Sequence, residues 1–430
     1  MNNKIYIFSE KNSSRLQYIC HIIFERFWGV DFEIISSKEN IKQSQNIINY
    51  SNIAIDKAFQ ISPHKILFLD KFEKIEHKFY LKDEINYPFA TQSGDFPIDP
   101  FALTFYFLTL YHDKEVSENI DEHQRVIYDN DIRKILESPI VDLAIKELKV
   151  KLLEFGFKFK TKVKSFVFTP TFDIDIAFAH LGKTLSRHFL GSMALALKLD
   201  FATLWQRFST WRAKQADPFD IFDEILNLLD ENNIKAYFFA LVADKSKFDN
   251  NNLYSSKSYS NLLKNLSKKH EIGLHSSYNT LNNNSLIEIE KKRLEDIIEK
   301  KVKSNRQHFI RFRSPELWNS LEENGFESDF SVGFYSEWGY RAGTVHTFPA
   351  FDIEKNRQLK IDLQPFVFMD GSMSKMYEND NQAIVNHYLK TIAYHKKELE
   401  PIKAIWHNHA MARGSAEFDN FEKIIEQHND

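Results

Sequence analysis

The feature that most constrains this chain is the alternation, from Ser165 onward, of short apolar runs with longer stretches of helical spacing. Ser165-Phe166-Val167-Phe168-Thr169 leads into Pro170-Thr171-Phe172-Asp173-Ile174-Asp175. After an inserted helical stretch over roughly 177–212, Asp217-Pro218 starts a helix with Ile221, Phe222, Ile225, Leu228 and Leu229 on one face. Then come a strand, Ala236–Val242, a helix around Tyr259–Lys268, and the run His270-Glu271-Ile272-Gly273-Leu274-His275. Strands that alternate with helices pair in parallel, because each helix returns the chain to the same end of the sheet. The reading is α/β, a parallel sheet or barrel.

The first part is a smaller α/β unit. Lys4–Phe8 reads as a strand, and Ser13 or Ser14 can cap a helix carrying Leu16, Ile19, Ile23 and Phe27. Ile53–Ile55 and Lys65–Leu69 read as further strands. Pro100 precedes a buried aromatic helix, Phe101–Tyr111, and a helix over Ile140–Glu154 closes the section. The expected domains are 1–160, without recognisable chemistry, and 161–430. The Asn-rich stretch Asn279–Asn284 reads as a loop with a helix start.

Composition excludes several classes. Lys and Arg total 56 against 60 Asp and Glu, a net charge of −4, which is not the basic footprint of a nucleic-acid binder. The single cysteine, Cys20, cannot form an intramolecular disulfide and sits in an apolar run that suits a buried thiol. No run approaches the roughly 20 apolar residues of a membrane helix, and the N-terminus lacks a signal-peptide core, so a cytoplasmic location is expected. Oligomeric state is left open.

Chemistry concentrates in four places. Asp173 and Asp175 lie two apart on a strand, so they project to one side, and paired carboxylates repel unless a cation or proton lies between them. A divalent metal would relieve that repulsion; the alternative is a pair that caps a strand end. His275 closes a second strand, while His270 lies at its other end and is read as structural. Arg306, His308 and Arg313 sit near a third strand end, where an arginine can orient a carboxylate. Trp406 and His407 end a late apolar strand, and His407 suits a general acid. Trp338 and Arg341, among other aromatics, could form a sugar platform or belong to the core.

In this order the motifs resemble those of the polysaccharide deacetylases of the NodB type, the family 4 carbohydrate esterases. Thr171-Phe172-Asp173-Ile174-Asp175 resembles the family's Thr-Phe-Asp-Asp-Gly, Phe238-Phe239 its Phe-Phe strand, and His270–His275 its His-Glu-Ile-Gly-Asn-His. Thr-Phe-Asp-x-Asp, Arg306-Gln307-His308 and Tyr340-Arg341-Ala342-Gly343-Thr344 resemble a subgroup with an extra N-terminal domain. The resemblance implies a distorted (β/α) barrel, Asp173 as base, Asp175 and His275 as metal ligands, and His407 as acid. Arg306, Arg341, Trp338 and Trp406 are the expected substrate contacts. Where the family has a second metal histidine, this chain has Asn279. Asn279 could ligate weakly, a histidine from elsewhere could replace it, with His308 preferred, or metal binding could be lost.

The expected activity is removal of an acetyl group from an N-acetylated or O-acetylated sugar or polysaccharide precursor, using zinc, or cobalt, nickel or manganese. The alternatives are a degenerate barrel that binds carbohydrate, and a hydrolase of a non-sugar amide or imide. A two-carboxylate glycosidase is disfavoured, because same-face aspartates two apart sit too close for the roughly 5 Å or greater separation that chemistry uses.

Overall fold

The computed structural model describes residues 4–37, 46–182, 185–212 and 214–428. The chain divides into two compact units. The first takes in 1–165 with Arg313–Glu322 and Gly339–Pro365; the second takes in Phe166–Phe312, Glu323–Trp338 and Phe366–Asp430.

In the first unit, β1 (Lys4–Phe8), β2 (Asp31–Ile35), β3 (Ile47–Asn49) and β4 (Phe59–Gln60) form a parallel sheet in the order β2-β1-β3-β4. Ser13 caps the helix Ser14–Cys20, which continues as a π-helical stretch, His21–Trp28. Cys20 is buried within it, and burial pushes its thiol well up. β5 (Phe79–Lys82) and β6 (Ile85–Pro88) form a hairpin. The helix Pro100–Leu108 is buried along its whole length and is capped by Asp99, whose Oδ1 accepts from the amides of Phe101 and Ala102. It ends before Tyr111 because Leu110 turns into the left-handed region at φ 52°.

Two expected strands are absent. Ile53–Ile55 lies in a turn, where Asn49 Nδ2 donates to the Ile53 carbonyl (2.6 Å) and Ser51 Oγ accepts from its amide (3.2 Å). Lys65–Phe68 is a single 3₁₀ turn, because Arg15 Nη1 captures the Ile66 carbonyl (2.8 Å) and Ser13 Oγ that of Leu67. In both cases side chains satisfy backbone groups that a sheet ladder would otherwise use.

The second unit is built on β7 (Val167–Ile174), β8 (Tyr237–Ala240), β9 (Glu271–Ser276), β10 (Ser304–Gln307) and β11 (Ser328–Asp329). The chain then enters the first unit, where β12 (Phe348–Asp352) and β13 (Arg357–Leu363) pair antiparallel, and returns for β14 (Phe368–Met369) and β15 (Pro401–His407). The strands of the second unit run β11-β10-β9-β8-β7-β15-β14, and every one of these pairings is parallel. Among the described residues no pairing joins β14 to the far end of the row.

Register sorts the side chains into rows, because successive residues point to opposite faces. Trp406, Phe172, Phe238 and Ile272 are register partners across β15, β7, β8 and β9. They form one apolar row, with Phe172 stacked on Phe238 and both Phe172 and Trp406 edge-on to Phe421 of the helix Ala416–Gln427. One residue on, the row is His407, Asp173, Phe239 and Gly273, on the opposite face. Gly273 is needed there. A Cβ at this position would lie 2.5 Å from the Phe239 ring and 2.9 Å from the Ser304 carbonyl oxygen.

Gly273→Ala is therefore expected to destabilise the protein by about 1–3 kcal/mol, the usual cost of overpacking. Urea denaturation should show the midpoint falling; an unchanged midpoint would mean that the Phe239 ring yields freely.

Candidate active site

Because β7, β9, β10 and β15 are parallel, their C-terminal ends lie along one edge. Pairing of His407 with Asp173, and of His275 with Arg306, brings chemistry-bearing residues to that edge from four distant stretches of sequence. Asp175 follows immediately after β7. Its Oδ1 is 3.1 Å from His275 Nε2 and 3.8 Å from His308 Nε2. Ligand atoms of these three residues lie within 4.8 Å of one another.

The partners of the two imidazoles define what faces Asp175. His275 Nδ1 lies 3.1 Å from the Arg306 carbonyl oxygen, which can only accept, so that nitrogen carries the hydrogen. His308 Nδ1 lies 2.9 Å from Asp249 Oδ1 and donates in the same way. In the neutral rings both Nε2 atoms are then lone pairs directed toward a carboxylate. Asp175 Oδ1 and His275 Nε2 are both buried without a hydrogen-bond partner, although they are close enough for one. Lone pairs that converge without aligning on each other fit a cation between them. Two imidazoles and a carboxylate, with each imidazole held through its other nitrogen, form a donor set suited to a divalent transition metal.

Without a metal, protons take its place. Burial works to raise the Asp175 pKa, but the charge of His308 and the close approach of the His275 and His308 imidazoles outweigh it and hold the group well below the usual carboxylate range. Burial opposes a charged His308, yet Asp175 and Asp249 raise its pKa to about 9.

Asp173 is buried on the face of β7 opposite the aromatic row. Its Oδ1 accepts from Arg306 Nη1 at 3.3 Å, and its Oδ2 lies 3.7 Å from His275 Nε2 and 4.0 Å from His407 Nε2. Arg306 is fully buried, with its guanidinium 4.7 Å from the centre of the Phe239 ring and 5.4 Å from that of Phe366. It fixes the Asp173 carboxylate rather than reaching outward to a ligand. His407 is gripped twice by Asp370, through its backbone amide (2.7 Å) and through Nδ1 (2.7 Å). Burial disfavours the imidazolium, but Asp370, then Asp175 and Asp173, raise its pKa to about 10. These carboxylates favour the protonated form of His407, whose Nε2 is turned toward both aspartates at 4.0 Å.

A cavity of about 350 Å³ opens on these groups, walled also by Phe309, Tyr335, Met369 and Lys375. The Phe309 and Tyr335 rings are nearly parallel (7°) with centres 6.1 Å apart, and they offer an apolar wall beside the charged cluster.

Other residues singled out from sequence lie elsewhere. Trp406 is 1% exposed and belongs to the aromatic row on the opposite face, because it precedes His407 on the strand. Trp338 stacks on Phe368 and meets His387 edge-on. Arg341 is in the first unit, buried and bonded to Asp113 (2.7 Å) and Tyr128 (3.0 Å), an internal ion pair rather than an open sugar contact. Arg313 is exposed in the first unit and bonds Gln124. Asn279 is exposed in the 3₁₀ turn Tyr278–Leu281 and is not among Asp175, His275 and His308, the three residues whose donor atoms cluster. Two participants, Asp249 and Asp370, went unforeseen. Asp370 follows the short strand β14, and Asp249 lies in a loop; neither sits in a pattern that periodicity marks.

Residues 5–157 match the model of a family of unknown function (DUF7033). No curated protein matches the chain. Among solved structures, the chain is similar to a protein described as a polysaccharide deacetylase from Mycobacterium smegmatis (13% identity, 62% of this chain and 84% of that chain, TM-score 0.41). It is also similar to one from Bordetella bronchiseptica described as involved in O-antigen biosynthesis (15%, 61% and 80%, TM-score 0.33). A third is the polysaccharide deacetylase Bc1974 from Bacillus cereus (12%, 62% and 88%, TM-score 0.32).

Equilibrium dialysis against Zn²⁺ should find a single bound equivalent that His308→Ala abolishes. Asp249→Asn, which leaves all three ligands in place, should weaken binding about 10–100-fold. Unchanged affinity in Asp249→Asn would mean that the His308 orientation is set by something else.

Proposed function

We propose that this chain is a metal-dependent hydrolase that removes acetyl groups from an acetylated sugar or polysaccharide precursor. The observation that carries the reading is the convergence of the Asp175, His275 and His308 donor atoms beside a buried aspartate, Asp173, and His407, which Asp370 holds through Nδ1. On this reading the chemistry belongs to residues 161–430, and their parallel sheet is part of a distorted (β/α) barrel.

Asp175, His275 and His308 would hold the ion, with zinc the best match to one oxygen and two nitrogen ligands and cobalt, nickel or manganese as substitutes. When bound, it supplies Lewis acidity for the acetyl carbonyl and for the developing oxyanion. Asp173, held by Arg306, accepts a proton from the attacking water. His407 faces the same space through Nε2 and donates its proton to the departing amine nitrogen, or to the alcohol oxygen of an ester. The C–N or C–O bond breaks, and the products are acetate and the free amine or hydroxyl. Asp370 keeps His407 charged and aimed, and Phe309 and Tyr335 offer a face to the sugar ring.

The substitution of Asn279 for the usual histidine favours a second reading, a carbohydrate-binding protein without turnover. Acetate release from N- and O-acetylated oligosaccharides separates the two. Turnover that falls about 10²–10⁴-fold in Asp173→Asn, with metal content and melting temperature retained, supports hydrolysis. Metal binding without any acetate release would overturn it.

The pH dependence is a further check. The acid form of His407 is lost as pH rises through about 10, so kcat should fall on that alkaline limb. Asp370→Asn removes the charge that contributes most to the rise. The limb should then move to lower pH by about a unit or more. A limb that stays in place would assign the acid to another group.

A further inference from the structure

Between β7 and the helix Phe222–Glu231 the second unit carries two helices, Leu185–Leu197 and Phe201–Trp211, that expose large apolar side chains. On the second helix the buried residues are Arg207, Ser209 and Thr210, whereas Phe201 and Trp205 are 63% and 70% exposed. Phe189 and Leu190 on the first helix are exposed, as is Leu197 at its end, which is 81% exposed. At 100° per residue, positions 189, 190 and 197 fall within one stripe, and positions 201, 205 and 208 within another. An apolar face of this extent marks a contact surface.

Charge indicates what covers it. From Lys183 to Lys214 the sequence holds six Lys or Arg and one Asp, +5, so the remainder of the chain carries −4 − 5 = −9. Lys198, Arg212 and Lys214 are exposed beside the apolar face. A second copy docked symmetrically would set the exposed cations Lys198, Arg212 and Lys214 against their own counterparts, which is unfavourable. An anionic bilayer satisfies both features, with hydrocarbon for the aromatic stripe and headgroups for the cations. The helices have 13 and 11 residues, about 20 and 16 Å at 1.5 Å per residue, well short of the roughly 30 Å hydrocarbon core. They suit the interface plane, where a tryptophan such as Trp205 is at home.

We propose that this helical pair is a docking surface for an anionic lipid bilayer and lies flat in its headgroup region. The assignment does not depend on hydrolytic activity. The test uses the full chain with vesicles of phosphatidylcholine alone or mixed with phosphatidylglycerol, read by co-sedimentation and tryptophan emission. The chain should sediment with the anionic vesicles, less so as salt rises, and only weakly with the neutral ones. Leu197→Glu and Trp205→Glu should each reduce partitioning about tenfold or more while leaving the melting temperature in place. Failure to sediment with anionic vesicles, or binding that neither substitution weakens, overturns the proposal. So does a dimer seen by light scattering that Trp205→Glu dissociates, because a second copy would then be the occupant.

Discussion

The site depends on a single electrostatic tension. Two imidazoles give their Nδ1 hydrogens to fixed acceptors, the Arg306 carbonyl and Asp249, and so turn lone pairs toward the carboxylate of Asp175. Left alone, that arrangement repels. A proton or a cation must occupy the centre, and the raised pKa of His308 is the protonic answer to the same demand. Asp173 and His407 flank this centre without joining it, each tied to its own partner, Arg306 and Asp370. On the proposed function, ligation, proton acceptance and proton donation would fall to different side chains that line one cavity.

The backbone makes this possible through register. A strand shows alternate residues to alternate faces, so the polar row of His407, Asp173, Phe239 and Gly273 is inseparable from the apolar row one residue earlier. Trp406 and Phe172 anchor the sheet against Phe421, with Phe238 stacked on Phe172, and that anchorage aims His407 and Asp173 the other way. A slip of one residue would bury the acids among aromatics. The lack of a side chain at Gly273 lets the Phe239 ring lie flat beneath Arg306, which in turn holds Asp173.

The residues closest to regular strands were the legible ones. His275 closes Ile272-Gly273-Leu274, Asp173 closes an apolar run, and His407 ends β15, so alternation alone marks their ends and their faces. Trp406 was misjudged although the same rule applies to it, because a tryptophan beside a histidine suggests recognition while the pleat sends it to the core. Asp249 and Asp370 act from a loop and from the start of a helix, positions that depend on how distant segments meet and have no local period. In the first unit, the apolar triplet Ile53–Ile55 carries a strand-like composition, but Asn49 and Ser51 hold its backbone in a turn. Composition cannot register a hydrogen bond made by a neighbour's side chain.

The most direct test of the central claim is X-ray absorption at the zinc edge on the zinc-loaded protein, which reads the ligand atoms themselves. Convergence of Asp175, His275 and His308 predicts oxygen and nitrogen scatterers at about 2.0–2.1 Å, with the multiple-scattering signature of two imidazoles. Loss of one imidazole contribution is expected in His275→Ala, and none in His407→Ala. A spectrum without imidazole scattering, or one in which His407→Ala removes an imidazole and His275→Ala does not, would contradict the assignment.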